Sequence, residues 1–256
     1  GTLGETGIVN ERPFRSPHHT ATTVSLCGGG NKTVHPGEIS LAHGGVLFLD
    51  ELPEYKRSSL EAMRQPLEDG VITISRAGGT VTYPASFMLC ASMNPCPCGY
   101  YNHPTKPCVC GAGQVQKYLN RISGPLMDRF DLHIEIVPLP FEAMASQKQG
   151  ESSATIRERV IKARKRQEER FAAHPGIHCN AQMESKLLHQ YASPDEKGLN
   201  LLRTAMIRLN LSARAYDRIL KVARTIADLE GSKEVLSHHL GEAISYRNLD
   251  REGWGG

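Results

Sequence analysis

Apolar and polar positions change their rhythm part-way along the chain. In the first half, short apolar runs alternate with Gly- and Pro-rich turns. Gly45-Val46-Leu47-Phe48-Leu49-Asp50 is apolar on both faces and ends in acids, the pattern of a buried strand. Pro53 follows, and Ser58 to Glu68 then carries Leu60, Met63 and Leu67 on one helical side. Val71 to Ser75, a Gly78-Gly79 turn and Val81 to Tyr83 predict a β-hairpin. Phe87 to Ser92 predicts a second buried strand, and Leu132 to Val137 a third. Buried strands alternating with helices predict an α/β fold with a parallel sheet.

Beyond Pro138-Leu139-Pro140 the period becomes helical. Helices are expected over Ser152 to Phe171, Met183 to Tyr191, Leu199 to Leu209 and Leu236 to Tyr246. Another is expected from an N-cap at Ser212 to about Leu229, where Gly231 stops it. The expected organisation is therefore an α/β core over 1–140 and a small all-helical domain over 141–256.

The charge balance changes this picture little. Across 256 residues the formal net charge is +3, too small to imply nucleic-acid binding unless basic residues cluster. The chain has no apolar run of about 18 residues and no charged-then-apolar leader, so a cytoplasmic protein with no membrane span is expected. Arg157 to Arg170 mixes Glu158, Glu168 and Glu169 among its cations and predicts a solvated face with i,i+4 pairs.

Cysteine usage changes it more. Of seven cysteines, Cys96, Cys98, Cys108 and Cys110 fall within fifteen residues, with nine residues between the two C-x-C pairs. Four thiolates at that spacing suit a structural, tetrahedral Zn²⁺ with no open coordination position. The C-x-C spacing is tighter than the usual C-x₂-C, His103 is a spare ligand, and four free thiols in a loop are the alternative.

The candidate chemistry begins at Asp50 and Glu51. Parallel sheets bind ligands at the carboxyl edge of their strands. There Asp50 can hold a hydrated Mg²⁺ on a nucleotide, and Glu51 can orient and deprotonate a water. Asn94 in Ser92-Met93-Asn94-Pro95 can position the same water, although Asn-Pro is also an ordinary turn pair. Arg129, beside Asp128 and Asp131, suits either a local salt bridge or a transition-state contact across a subunit boundary. Arg214, in the first turn of the Ser212 helix, can reach a nucleotide or stay solvated.

Longer strings decide among these alternatives. They are Arg12-Pro13-Phe14-Arg15-Ser16-Pro17-His18-His19, Pro36 to His43, Gly45 to Pro53, Arg64 to Gly70, Met93-Asn94-Pro95, Ser123 to Leu132, and Ser212 to Arg218. Together they resemble the ComM (YifB-like) family of magnesium-chelatase-like AAA+ ATPases over roughly residues 10 to 248. The resemblance implies ATP and Mg²⁺ as cofactors, a homo-oligomeric and expectedly hexameric ring, and DNA branch migration in transformation or recombination. It makes Asp50 and Glu51 similar to a Walker B pair, Asn94 to sensor 1, Arg129 to an arginine finger and Arg214 to a sensor 2 arginine. The hairpin around Ser75-Arg76-Ala77-Gly78-Gly79 looks like a pre-sensor-1 hairpin whose Arg76 touches DNA phosphates in a central channel. The stretch from Arg12 to Glu38, with Gly28-Gly29-Gly30 and Lys32, looks like the second-helix insertion of that group.

The resemblance leaves one gap. No G-x-x-x-x-G-K-[ST] string occurs, and in the family that loop lies upstream on the central strand. The chain is thus expected to begin after the first strand and its loop, and to hydrolyse nothing alone. Two other functions fit the same residues: a chelatase-type motor remodelling a protein client, and a non-catalytic, zinc-stabilised assembly module.

Overall fold

The computed structural model describes residues 11–30, 33–76, 79–111, 113–139 and 150–247. The chain divides between Phe130 and Asp131 into two compact units.

The first unit is mixed α/β with a small parallel sheet in the order β1-β4-β7. β1 is Phe14–Arg15, β4 Val46–Leu49 and β7 Met88–Ala91, with Phe14 opposite Val46 and Leu49 opposite Ala91. Leu47 and Leu49 of the central strand are fully buried. They anchor a core that includes Leu26, Ile39, Leu52, Leu60, Met63 and Leu126. At about 25 cal/mol per Å² of apolar surface buried, each such leucine contributes roughly 1.5–3 kcal/mol.

Two antiparallel ribbons stand beside this sheet. One pairs β2 (Gly28–Gly29) with β3 (His35–Pro36), between the short helices α1 (Thr23–Cys27) and α2 (Glu38–Leu41). Gly37 is forced there: a Cβ would lie 2.3 Å from both Gly28 N and Leu26 O. The other is the expected hairpin, β5 (Val71–Arg76) with β6 (Gly79–Pro84). Of the expected Gly78-Gly79 turn, Gly79 is instead the first residue of β6, opposite Arg76, and Gly78 lies outside the described residues, as do Ala77 and Lys32. The ribbons touch where Tyr83 Oη donates to Val34 O at 2.9 Å.

Three expectations change. The helix expected from Ser58 to Glu68 is two, α3 (Arg57–Ala62) and α4 (Arg64–Asp69), meeting at Met63. Pro66 has no N–H to give Ala62 O, and its ring crowds that carbonyl, so one regular helix cannot run through. The strand expected over Phe87 to Ser92 forms, but Met88 and Cys90 are exposed instead of buried. Among the described residues β7 pairs on one side only. Leu132 to Val137 forms no strand: Ile134, Ile136 and Val137 are exposed, and His133 N instead bonds Tyr246 O at 2.8 Å. Apolar alternation makes a strand only where a ladder partner accepts it.

Two short helices complete this unit, α5 (Gln114–Leu119) and α6 (Gly124–Met127). The second unit contains α7 (Ser153–Phe171), α8 (Ser185–Tyr191), α9 (Glu196–Arg208), α10 (Ala213–Glu230) and α11 (Ser237–Ser245). Ser152, Asp195 and Ser212 cap three of them with side-chain oxygens. Gly231, at φ 94°, closes α10 in the left-handed region that glycine tolerates best. Ala215, Ile219, Ala223 and Ala227, four residues apart, put one face of α10 in the core. No described helix is long and apolar enough to cross a membrane.

Candidate functional site

The carboxyl edge of the sheet is stitched beyond its ladder. Ser92 N donates to Leu49 O and Leu52 N to Ser92 O, each at 3.0 Å. This holds the end of β7 against the turn that follows β4. Asp50 Oδ1 then accepts from Glu51 N at 3.0 Å and from the Ser92 hydroxyl. Asp50 stays exposed, so its carboxylate faces solvent with one oxygen fixed.

Glu51 is held differently. Its backbone is left-handed, φ 54° and ψ 47°, a conformation that costs a non-glycine residue about 1–2 kcal/mol. His19 lies against it, Nδ1 2.9 Å from Glu51 Oε2. In the tautomer with the proton on Nδ1, the imidazole donates to the carboxylate and sets its orientation. Tyr55 meets the His19 ring edge-on at 6.5 Å, and its hydroxyl donates to Pro17 O at 2.5 Å. Burial, and secondarily the charge of Asp50, push that hydroxyl up to about 12, so it stays a donor. Sequence reasoning found no chemistry for His19. It sits 32 positions before Glu51, and only the fold joins them.

Asn94 is exposed two residues beyond Ser92. Arg129 is buried within its own unit, where it pairs with Glu68 while Nη1 donates to Pro125 O at 2.5 Å. Its Nε has no partner, so the guanidinium is incompletely satisfied where it lies. Arg214 is exposed in the first turn of α10, in the second unit.

Arg76 is exposed at the last ladder pair of the hairpin, opposite Gly79. Its guanidinium crosses the other ribbon: a Cβ on Gly29 would lie 2.8 Å from Arg76 Nη2. The glycines there give the arginine room. Arg15, by contrast, is neutralised internally by Glu38, through bonds of 2.6 and 2.8 Å.

The four clustered cysteines converge. Their sulfurs all lie within 4.8 Å of one another, with Cys96 to Cys98 at 3.4 Å, Cys98 to Cys108 at 3.5 Å and Cys96 to Cys108 at 3.7 Å. A tetrahedral ion with bonds of about 2.3 Å requires separations of about 3.8 Å. Tyr101 N donates to Cys96 Sγ at 3.3 Å. The Tyr100 backbone N–H, with smaller help from Val109, brings the Cys98 thiol down to about 6, while burial and then neighbouring sulfurs push Cys110 up to about 12. Backbone donors stabilise one thiolate, and crowding then opposes the next. A divalent cation resolves that conflict, and the donor set fits zinc. His103 is not in the cluster; its Nδ1 accepts from Thr105 N and Lys106 N at 3.2 and 3.0 Å.

Comparisons with known proteins show the family. Residues 1–144 match the family model described as magnesium chelatase, subunit ChlI, and residues 150–247 match that of its C-terminal part. The chain is 48% identical over 245 residues to competence protein ComM of Haemophilus influenzae, covering 94% of the chain and 46% of that protein. It is also 48% identical over 245 residues to the uncharacterized protein YifB of Salmonella typhimurium, with the same coverage. A more distant likeness, 27% over 154 residues, covers 60% of the chain and 16% of DNA replication licensing factor mcm6 of Dictyostelium discoideum. The chain spans about half the length of the ComM and YifB relatives.

Proposed function

The chain belongs to the magnesium chelatase ChlI family of AAA+-like ATPases, and from that membership and the carboxylate site we propose that it is part of a ring-forming ATP-driven motor acting on DNA. The observation that carries the reading is the strand end where Asp50 and Glu51 meet Ser92 and His19. In this reading Asp50, with one oxygen fixed, would hold a hydrated Mg²⁺, which would neutralise charge on the nucleotide's phosphates. The nucleotide supplies the phosphoryl group. Glu51 takes the proton of the attacking water, His19 orients that carboxylate, and Asn94 positions the water from the neighbouring strand end.

Arg129 completes the site of a neighbouring subunit only by exchanging Glu68 for the partner's phosphate. Arg214 contributes a further guanidinium to the nucleotide, and Arg76 contacts DNA phosphates. The four cysteines hold a structural Zn²⁺ directly after Asn94, stiffening that segment. Support for DNA comes from the competence protein and the licensing factor among the relatives. The chelatase description of the family favours a second reading, in which the same motor remodels a protein client. Measuring ATP turnover by the full-length protein with and without DNA separates them. The first reading expects DNA to raise turnover; turnover indifferent to DNA at every salt concentration supports the second.

A further inference from the structure

A cavity of about 820 Å³ opens in the first unit between the segment after Glu51 and helix α5. Lys56 and Arg57 line one wall and Lys117 and Arg121 the other, with Glu54 as the sole carboxylate. The net charge of this lining is +3, equal to that of the whole 256-residue chain. Such concentration in a concave wall focuses a positive field outward. Arg121 is partly committed, donating to Glu54 at 2.8 Å and to Pro53 O at 3.1 Å. Lys56, Arg57 and Lys117 are exposed and have no salt-bridge partner among the described residues. Lys56 and Lys117, with Arg57 beside them acting at longer range on Glu61, face one space and suit a ligand with several adjacent negative charges.

The cavity has two further neighbours. Its Tyr55 is the residue whose ring meets His19 beside Glu51. Its Gln116 also lines a smaller cavity, of about 250 Å³, walled by Cys108 and Cys110. The basic surface is therefore framed by the carboxylate site on one side and the cysteine knot on the other.

We propose that this cavity is a phosphate-binding site, taking successive phosphates of a nucleic-acid backbone or of a free polyphosphate. Lysine and arginine bind such groups through charge-assisted hydrogen bonds, and concavity lets several act on adjacent phosphates. The site stands on its own lining, whether or not Glu51 activates water.

The test is fluorescence anisotropy on the full-length protein. A labelled single-stranded DNA oligonucleotide is one probe, and inorganic triphosphate competing for it or titrated calorimetrically is the other. Lys56→Glu/Lys117→Glu should lose about tenfold or more in affinity for at least one probe, and a salt slope for DNA should fall by about 2. Lys56→Arg/Lys117→Arg should retain binding, and both variants should keep the wild-type thermal midpoint. Loss confined to triphosphate assigns a free polyphosphate; loss for DNA assigns the strand. Undiminished binding of both probes by the folded Glu variant, or no binding of either by the wild type, overturns the proposal. Arg76→Ala serves as the control: DNA binding lost there and retained in the Glu variant removes the cavity as a strand site, leaving triphosphate as its only ligand and the DNA reading standing.

Discussion

The two units use charge in opposite ways. In the first, Asp50 and Glu51 are exposed at a strand end, and Glu51 is held in a backbone conformation it would not choose. In the second, Asp228 is fully buried and saturated. It pairs with Arg170, accepts from Asn180 Nδ2 at 2.8 Å and lies 3.1 Å from Arg224. Asn180 N in turn donates to Gln167 Oε1 at 3.1 Å. A buried carboxylate with both oxygens occupied has nothing left to offer a ligand, whereas an exposed, strained carboxylate does. Saturation distinguishes scaffold from site better than the number of charges.

The comparison can be broken at its buried end first. Asp228→Ala strands Arg170 and Arg224 without their acid and is expected to cost about 3–5 kcal/mol in denaturant unfolding. A cost under about 1 kcal/mol would show that the network is not what holds the second unit together. Next in size is the cysteine knot. Elemental analysis should find about one zinc per chain, with sulfur distances near 2.3 Å by X-ray absorption, and Cys96→Ser should remove most of the metal. Metal-free wild-type protein with four titratable thiols would reduce the cluster to a coincidence of packing.

The smallest effect sharpens the contrast most. Glu51→Gly relieves the left-handed backbone and should be more stable than Glu51→Ala, which loses the same His19 contact, by about 1 kcal/mol. The same variant should lose ATP turnover. Stability no greater than that of Glu51→Ala would mean that Glu51 carries no backbone strain.

Much of this was legible in the sequence, because caps and periods are local. Ser212 and Gly231 bound a helix through side-chain and backbone groups within a few residues of each other. The hairpin was legible from the apolar runs of Val71 to Ser75 and Val81 to Tyr83, but not its register, since Arg76 pairs with Gly79 where a Gly78-Gly79 turn was expected. Apart from the helix that Pro66 splits, the failures are of partnership. Leu132 to Val137 has a strand's composition and no ladder, and Phe14–Arg15 is a strand too short to announce itself. Among candidate sites, the four cysteines were readable since they are close in sequence. The contact of His19 with Glu51 was not, and neither was the basic cavity, which joins Lys56 to Lys117. Arg166 and Arg170 belonged to an expected solvated face, yet both turn inward to Asp228. Their inward turn depends on which helix packs against them, information no local pattern carries.

The central claim is that the exposed carboxylate, and not the buried network, performs the chemistry. Its most direct test is steady-state ATP turnover by the full-length protein carrying Glu51→Gln, measured beside nucleotide affinity and thermal midpoint. The account predicts turnover lowered by about 100-fold or more, with nucleotide still bound and the midpoint unchanged. Turnover within a few-fold of wild type would contradict it.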